Sequence, residues 1–229
     1  MKPLKFSERL YIGNPEAELV SASCLLSYQT PGSANIITKT QPSIGSILAY
    51  ECGYNNKLTR YFTGYIESFR EINDNQYSIF ARELSGLLRK SLPMTLQHVT
   101  LPMVLEHITS ITGLQFTVPE RDYSTTVAPY VINHSTGYAL LDQLGNVFDI
   151  ERYTWHQLGN GHIFVGSWYD SAWSQTNIPL PTSMFEDLML NRATIPLLPK
   201  LRPGVSLNGQ RVRSITTNSS KMVIEWMTK

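Results

Sequence analysis

Charge is the scarcest property of this sequence. Only 16% of its 229 residues are charged, against about a quarter in an average globular protein. The 19 basic and 18 acidic groups leave a net charge of +1. Such a chain projects no field that gathers nucleic acid or an anionic membrane, which argues against a protein that coats DNA. Cysteine is nearly absent. Cys24 and Cys52 stand alone in strand-like apolar runs, and no CxxC or HxxxH pair supplies the clustered ligands of a zinc site. Both are expected as buried, reduced thiols, not as the disulfide of an oxidising compartment. Long apolar runs are missing too. The longest is four residues, as at 47–50, too short for a bilayer-spanning helix. No apolar segment of the signal type follows the Met1-Lys2-Pro3 start. Aromatics, by contrast, are plentiful, with 12 Tyr, 8 Phe and 4 Trp, and a disordered chain would have few. The expectation is a soluble globular protein of a cytoplasm-like compartment, with one large domain or two small ones.

The charge that is present is unevenly spread. Residues 1–90 carry 10 basic and 8 acidic groups, 91–166 carry 2 and 6, and 167–229 carry 7 and 4. The middle segment is therefore acidic between two basic flanks. Its pattern differs as well. In the first segment, runs at 43–53, 58–71 and 76–82 read as strands, with Tyr54-Asn55-Asn56-Lys57 and Asn73-Asp74-Asn75 as turns. Gly64 inside the second run marks a bulge or bend. Residues 83–90 read as a short helix closed by Pro93. In the middle segment, Pro102 suits a first helical turn, Val104, Leu105, Ile108 and Ile111 share a face, and Gly113 stands where a C-terminal glycine belongs. Thr136 caps a second helix whose expected buried side is Ala139, Leu140, Leu141, Leu144, Val147 and Phe148. Residues 149–157 and 162–166 flank Leu158-Gly159-Asn160-Gly161 as a hairpin. The last segment is broken by Pro179, Pro181, Pro196, Pro199 and Pro203, which forbid central strands there. Strands return at 204–217 and 222–227, where Met222, Ile224 and Trp226 share one face.

Catalytic motifs are absent. There is no G-x-S-x-G elbow, no P-loop and no G-x-G-x-x-G. The five histidines form no ligand pair, although His156 and His162 could face each other across the hairpin. Asp149 and Glu151, two apart on one strand face, are the only candidate carboxylate pair for glycoside hydrolysis. Any strand face can carry such a pair. Trp155, Trp168 and Trp173, with Tyr153 and Tyr169, make an aromatic cluster. It could stack on sugars, but such clusters are more often core or subunit contact. Asn133-His134-Ser135 and Asn218-Ser219-Ser220 match a glycosylation acceptor by accident. No catalytic, cofactor-binding or metal-binding residue is assigned, and the expectation is a protein that is not an enzyme.

The order of these segments resembles a known family. Phe62-Thr63-Gly64-Tyr65-Ile66 leads to Tyr77 and then to Ala81-Arg82-Glu83-Leu84-Ser85-Gly86-Leu87-Leu88. A helix at 101–113, the segment Tyr130-Val131-Ile132-Asn133, a helix at 138–148 and a hairpin at 151–166 follow. Over residues 44–168 this is similar to the phage tail and baseplate hub proteins, the trimeric hubs of contractile tails, and to the hub part of type VI secretion spike proteins. Leu201-Arg202-Pro203-Gly204 and Leu207-Asn208-Gly209 resemble the family's closing strands. The resemblance implies a mainly β, α+β fold of antiparallel β-barrel, tube-type domains with a small α+β insert; the charge shift and the helical caps place a barrel at 1–90, the insert at 91–166, and at 167–229 a second barrel or tube segment packing with the first. It implies a structural virion protein of the tail baseplate, assembled in the host cytoplasm without inserting in a membrane. Its partners would be its own copies in a homotrimer, the tail tube protein, a spike or tail-tip protein, the tape measure protein, and DNA only in transit. With two similar barrels per chain, three chains would place six around one axis. The alternatives are a carbohydrate-binding β protein using Trp168 and Trp173, and a cell-wall hydrolase using Asp149 and Glu151.

Overall fold

A computed structural model describes residues 4–174 and 176–227. The Met1-Lys2-Pro3 start lies outside them. The chain forms β1 (Phe6–Ile12), β2 (Glu16–Ala17), β3 (Leu19–Ser27), β4 (Thr30–Thr38), β5 (Ile47–Tyr54), β6 (Lys57–Asn73) and β7 (Gln76–Glu83). There follow β8 (Met94–Val99), α1 (Leu101–Thr112), β9 (Phe116–Thr117), α2 (Asp122–Thr125), β10 (Ala128–Asn133), α3 (Gly137–Val147), β11 (Tyr153–Gln157) and β12 (Ile163–Ser167). It ends with β13 (Asn177–Ile178), β14 (Arg192–Pro196), β15 (Ser206–Leu207), β16 (Gln210–Asn218) and β17 (Lys221–Trp226). The fold is mainly β, of the α+β class. It divides into two compact units: one of residues up to Glu83 with Gly159–Gly161 and the chain from Thr176, the other of Leu84–Leu158 and His162–Gln175.

The first unit is one twelve-stranded sheet, curled into a half-barrel. Its strands run in the order β16-β3-β4-β7-β6-β5-β1-β2, and β17 joins β16 to β14. Local chemistry sets the hairpins. Asn55 and Asn56 both take positive φ, 52° and 61°, as a two-residue turn matching strand twist requires. Glu18 lies between β2, which pairs with β1 at Leu10↔Ala17, and β3, which pairs with β4 from Leu19↔Thr38. One bent strand thus closes the curl at that end. Further along, β3 pairs with β16 instead, at Leu25↔Thr216. The two flanking segments of the chain therefore share one sheet, spliced by the β3–β16 ladder. Gly64 is not a bulge. It stays in register with Leu48 and Glu83, and the neighbouring backbone is the reason for it: a Cβ there would lie 2.2 Å from the Arg82 carbonyl oxygen.

Alternate residues of β3, β4 and β7 point inward. Cys24, Leu26, Ala34, Ile36, Ile79 and Ala81 are buried with Leu10, Leu48, Tyr50, Phe62 and Ile66 from the strands opposite. Polar groups share this interior. The Glu83 carboxylate accepts from the Gly32 N–H at 2.7 Å. The Arg202 guanidinium donates to the carbonyls of Tyr61 and Arg60 and sits 4.6 Å over the Tyr61 ring. Pro196 ends β14, which pairs only with β17 among the described strands, so the proline rule holds there.

In the second unit, α1 carries Pro102 in its first turn and ends at Gly113, whose φ of 75° lets its N–H reach the Thr109 carbonyl at 2.8 Å. The Thr136 hydroxyl accepts from the Ala139 N–H and caps α3. These helices bury Leu101, Val104, Leu105, Ile108, Leu140, Leu141 and Leu144 against the antiparallel pair β8–β10 and the sheet β11-β12-β9. Two sequence readings change here. The helix expected at 83–90 is a 3-10 helix over Leu84–Arg89, and its leucines join this core. Charge drift therefore puts the segment boundary several residues later than packing does. The strand expected from Asp149 starts only at Tyr153, because α3 runs to Val147 and the chain then turns through positive φ at Asp149 and Arg152.

Candidate functional site

The sequence candidates separate into groups that are structurally occupied and one that is open. Cys24 and Cys52 are free and buried. Burial pushes both thiols up to about 12, so neither forms the reactive thiolate near neutrality. Among the described residues no group of three or more His, Cys, Asp or Glu is placed to hold a metal ion.

Asp149 and Glu151 are not neighbours on a strand face. Both lie in the turn after α3, where Asp149 has φ 49°. They line an open concavity of about 460 Å³ with Arg121, Tyr123, Tyr169 and Asp170. The best-defined carboxylate there is Asp170, which sequence reading passed over. Its two oxygens accept from Arg121 Nε at 2.8 Å and from the Tyr123 hydroxyl at 2.9 Å. Burial, reinforced by that carboxylate, pushes the Tyr123 phenol up to about 12, so it remains a donor. This is a clamp tying 121–123 to the end of β12, with both oxygens of Asp170 engaged in holding it. Glu151→Ala is expected to leave thermal stability within about 0.5 kcal/mol, Asp149→Ala to cost about 1 kcal/mol because alanine tolerates the positive φ there less well than aspartate, and both to leave assembly into particles unchanged. Loss of infectivity by correctly assembled, stable particles would restore the hydrolase reading.

The aromatic cluster is likewise mostly consumed internally. Trp155 is buried, stacks on Tyr138 at 5.8 Å and donates its indole N–H to Asp142 Oδ1 at 2.8 Å. His156 lies opposite Phe164, not His162. It stacks on Phe164 at 5.0 Å and on Trp173 at 3.8 Å. Trp168 meets Tyr169 edge-on at 5.8 Å. Trp173 thus spends a face on His156, and the two tryptophans of the sugar-binding alternative have different partners.

What remains open is strand edge. β6 outruns β5: their ladder ends at Ile47↔Tyr65, with Ser46 and Gly45 bonding Ile66 just beyond. Among the described residues, 68–73 have β7 on one side and no strand on the other. Phe69 and Ile72 are exposed on this stretch. Arg70 and Glu71 are the charged residues on the open stretch itself, while earlier in the strand Arg60 is tied to Glu51 at 2.9 Å and Glu67 to Arg82 at 2.7 Å. The central strands β3 and β4 contain no charged residue at all. Of these two, the sequence marks only the strand-like run around Cys24 in β3. The alternation of Ala22, Cys24 and Leu26 with serines was the available signal, diluted by Val20 and Leu25 on the exposed face.

No protein-family model matches the chain. It is 28% identical over 222 residues to an uncharacterized 58.7 kDa protein in the lys 3′ region of Haemophilus phage HP1, covering 96% of this chain but only 42% of that protein. Its fold is that of phage tail proteins. The 43 kDa tail protein of prophage MuSo2 from Shewanella oneidensis superposes with a TM-score of 0.68 at 9% identity, over 97% of this chain and 98% of that one. A tail protein from Neisseria meningitidis gives 0.67 at 9% identity, over 98% and 97%. An E. coli component of the type VI secretion system, described as structurally similar to the T4 tail proteins gp27 and gp5, gives 0.65 at 11% identity, over 96% and 76%.

Proposed function

We propose that this chain is a structural protein of a phage tail: a hub subunit that forms a homotrimeric ring between the tail tube and the central spike, with a channel through which DNA passes. The observation that carries the reading is the whole-length fold shared with phage tail proteins, including both compact units. The relative from phage HP1 supports a phage setting. Two physical features agree with it. The open edge of β6 calls for strand pairing with another chain, since bare edges otherwise invite uncontrolled association. A net charge of +1 suits a wall that a polyanion must slide past without being held. Around the ring, tube protein and tape measure protein would lie on one side and the spike or tail tip on the other, all within the virion.

The reading is tested by native mass measurement of the assembled complex and by a symmetry-free reconstruction of particles. The expected result is three copies around a central channel, walled by the first unit. A monomer in the particle, or a ring of six identical copies, overturns it.

A further inference from the structure

The most anomalous surface of the first unit is a loop tip. Leu188, Met189 and Leu190 are 61%, 63% and 99% exposed, and three consecutive apolar side chains in water are unusual unless something covers them. The loop is held rather than loose. Glu186 and Thr194 exchange backbone hydrogen bonds at 2.7 and 2.9 Å, the Met189 N–H reaches the Arg192 carbonyl at 2.8 Å, and the Trp226 N–H reaches Asn191 at 2.9 Å. The tip is thus presented on a hydrogen-bonded base.

The second unit carries a matching concavity. Leu87, Leu88, Leu92 and Ile111 line a cavity of about 200 Å³ at the C-terminal end of α1, and Lys90 is part of its wall. A dry cavity of about 150 Å³ already holds a benzene-sized group, so this one accommodates a leucine side chain. Asp187, next to the tip, is complementary in charge to Lys90. We propose that the Leu188–Leu190 tip of one copy seats Leu190 in the Ile111 cavity of the next copy. The proposal rests on the ring reading and gives the ring a specific joint. Tip and cavity are different surfaces of one chain, so the contact is heterologous, the type from which rings are built when the rotation closes. A lipid surface is the weaker occupant. Glu186, Asp187, Arg192 and Lys221 around the tip sum to no net charge, and Lys221 is tied to Glu186 at 2.6 Å, which leaves no net basic flank for anionic headgroups.

The test uses the full chain. Leu190 and Ile111 are both more than half exposed, so Leu190→Glu and Ile111→Glu leave the fold intact, as circular dichroism verifies. Each is expected to weaken assembly by at least about a hundredfold in native mass titrations. Mixing the two variants pairs one good tip with one good cavity, so heterodimers are expected without a closed ring. Assembly that survives both substitutions overturns the proposal. Assembly lost in Leu190→Glu but kept in Ile111→Glu overturns the cavity as the seat. Leu190-dependent binding to vesicles containing anionic lipid, with assembly unaffected, assigns the tip to membranes and overturns it as well. A wild-type chain that stays monomeric, alone and in particles, instead overturns the ring reading beneath the proposal.

Discussion

Gly64→Ala is expected to unfold the half-barrel or leave it barely stable, with a loss of about 3 kcal/mol or more. Gly64 sits in the middle of β6, paired on both sides, with Leu48 on β5 and Glu83 on β7. A methyl group there would lie 2.2 Å from the Arg82 carbonyl oxygen and 2.7 Å from the Phe62 ring. Neither neighbour can yield cheaply. The carbonyl belongs to the β6–β7 ladder, and Phe62 is fully buried. Relief would require β7 to move away, which would break its ladders with both β6 and β4. The expected signature is local. Amide exchange protection collapses across β4–β7, while the core of the second unit, built on α1 and α3, keeps its protection. A variant with unchanged protection in β6 and β7 and an unchanged urea midpoint would show that the backbone has room to spare.

Gly64 also illustrates what the sequence made legible. A glycine inside an otherwise strand-like run signalled a special backbone position, and the structure has one. The kind of position depended on how close the Arg82 carbonyl of another strand comes, which no local pattern encodes. The same division runs through the molecule. Helix α1 was readable because its start, its apolar face and its glycine stop are all local: Pro102, then Val104 to Ile108, then Gly113. The turn at Asn55-Asn56 was readable because two asparagines tolerate positive φ. Strands β1, β2 and β4 were not, and β3 showed only as the apolar run around Cys24. Their inward residues include alanine, cysteine and glycine, small because the curled sheet is crowded inside, so the apolar alternation is faint. The splice of β3 to β16 joins Leu25 to Thr216, 191 positions away in sequence, and only the fold reveals it. Asp149 and Glu151 were misplaced for a related reason. Ile150 between them is buried and suggests a strand, but it is buried because it belongs to the core that α3 packs on. Asp170 gave no signal at all, since a carboxylate bound by Arg121 and Tyr123 looks in sequence like any other.

Glu83 should give the first unit a pH dependence of its own. Its carboxyl is 6% exposed and receives one hydrogen bond, from the Gly32 N–H. Burial pushes it up to about 7, and the Gly32 donor and the charge of Arg202 only partly oppose the shift. In the unfolded chain the group titrates near 4.5. Below that pH the carboxyl is protonated in both states and burial is not penalised. Between 4.5 and 7 the unfolded chain ionises while the folded one holds its proton, so stability falls as pH rises. Above 7 both states are ionised and the loss is complete, about 3 kcal/mol for a shift of this size. Glu83→Gln keeps an acceptor for Gly32 and cannot ionise. Relative to wild type it is expected to gain stability from pH 5 upward and to level off above about pH 7. Other titrating groups are shared by the two proteins and cancel in that difference. Arg202 supplies the control. Its guanidinium, held over Tyr61 and bonded to the Tyr61 and Arg60 carbonyls, lowers the Glu83 value, so Arg202→Met should move the wild-type transition to higher pH besides loosening the segment that carries it. Urea midpoints of the three proteins at half-unit pH steps decide the matter. Wild-type and Glu83→Gln curves that run parallel from pH 5 to pH 8 would mean that water or a rearranged cation solvates this carboxylate, and that the interior of the half-barrel is not closed around it.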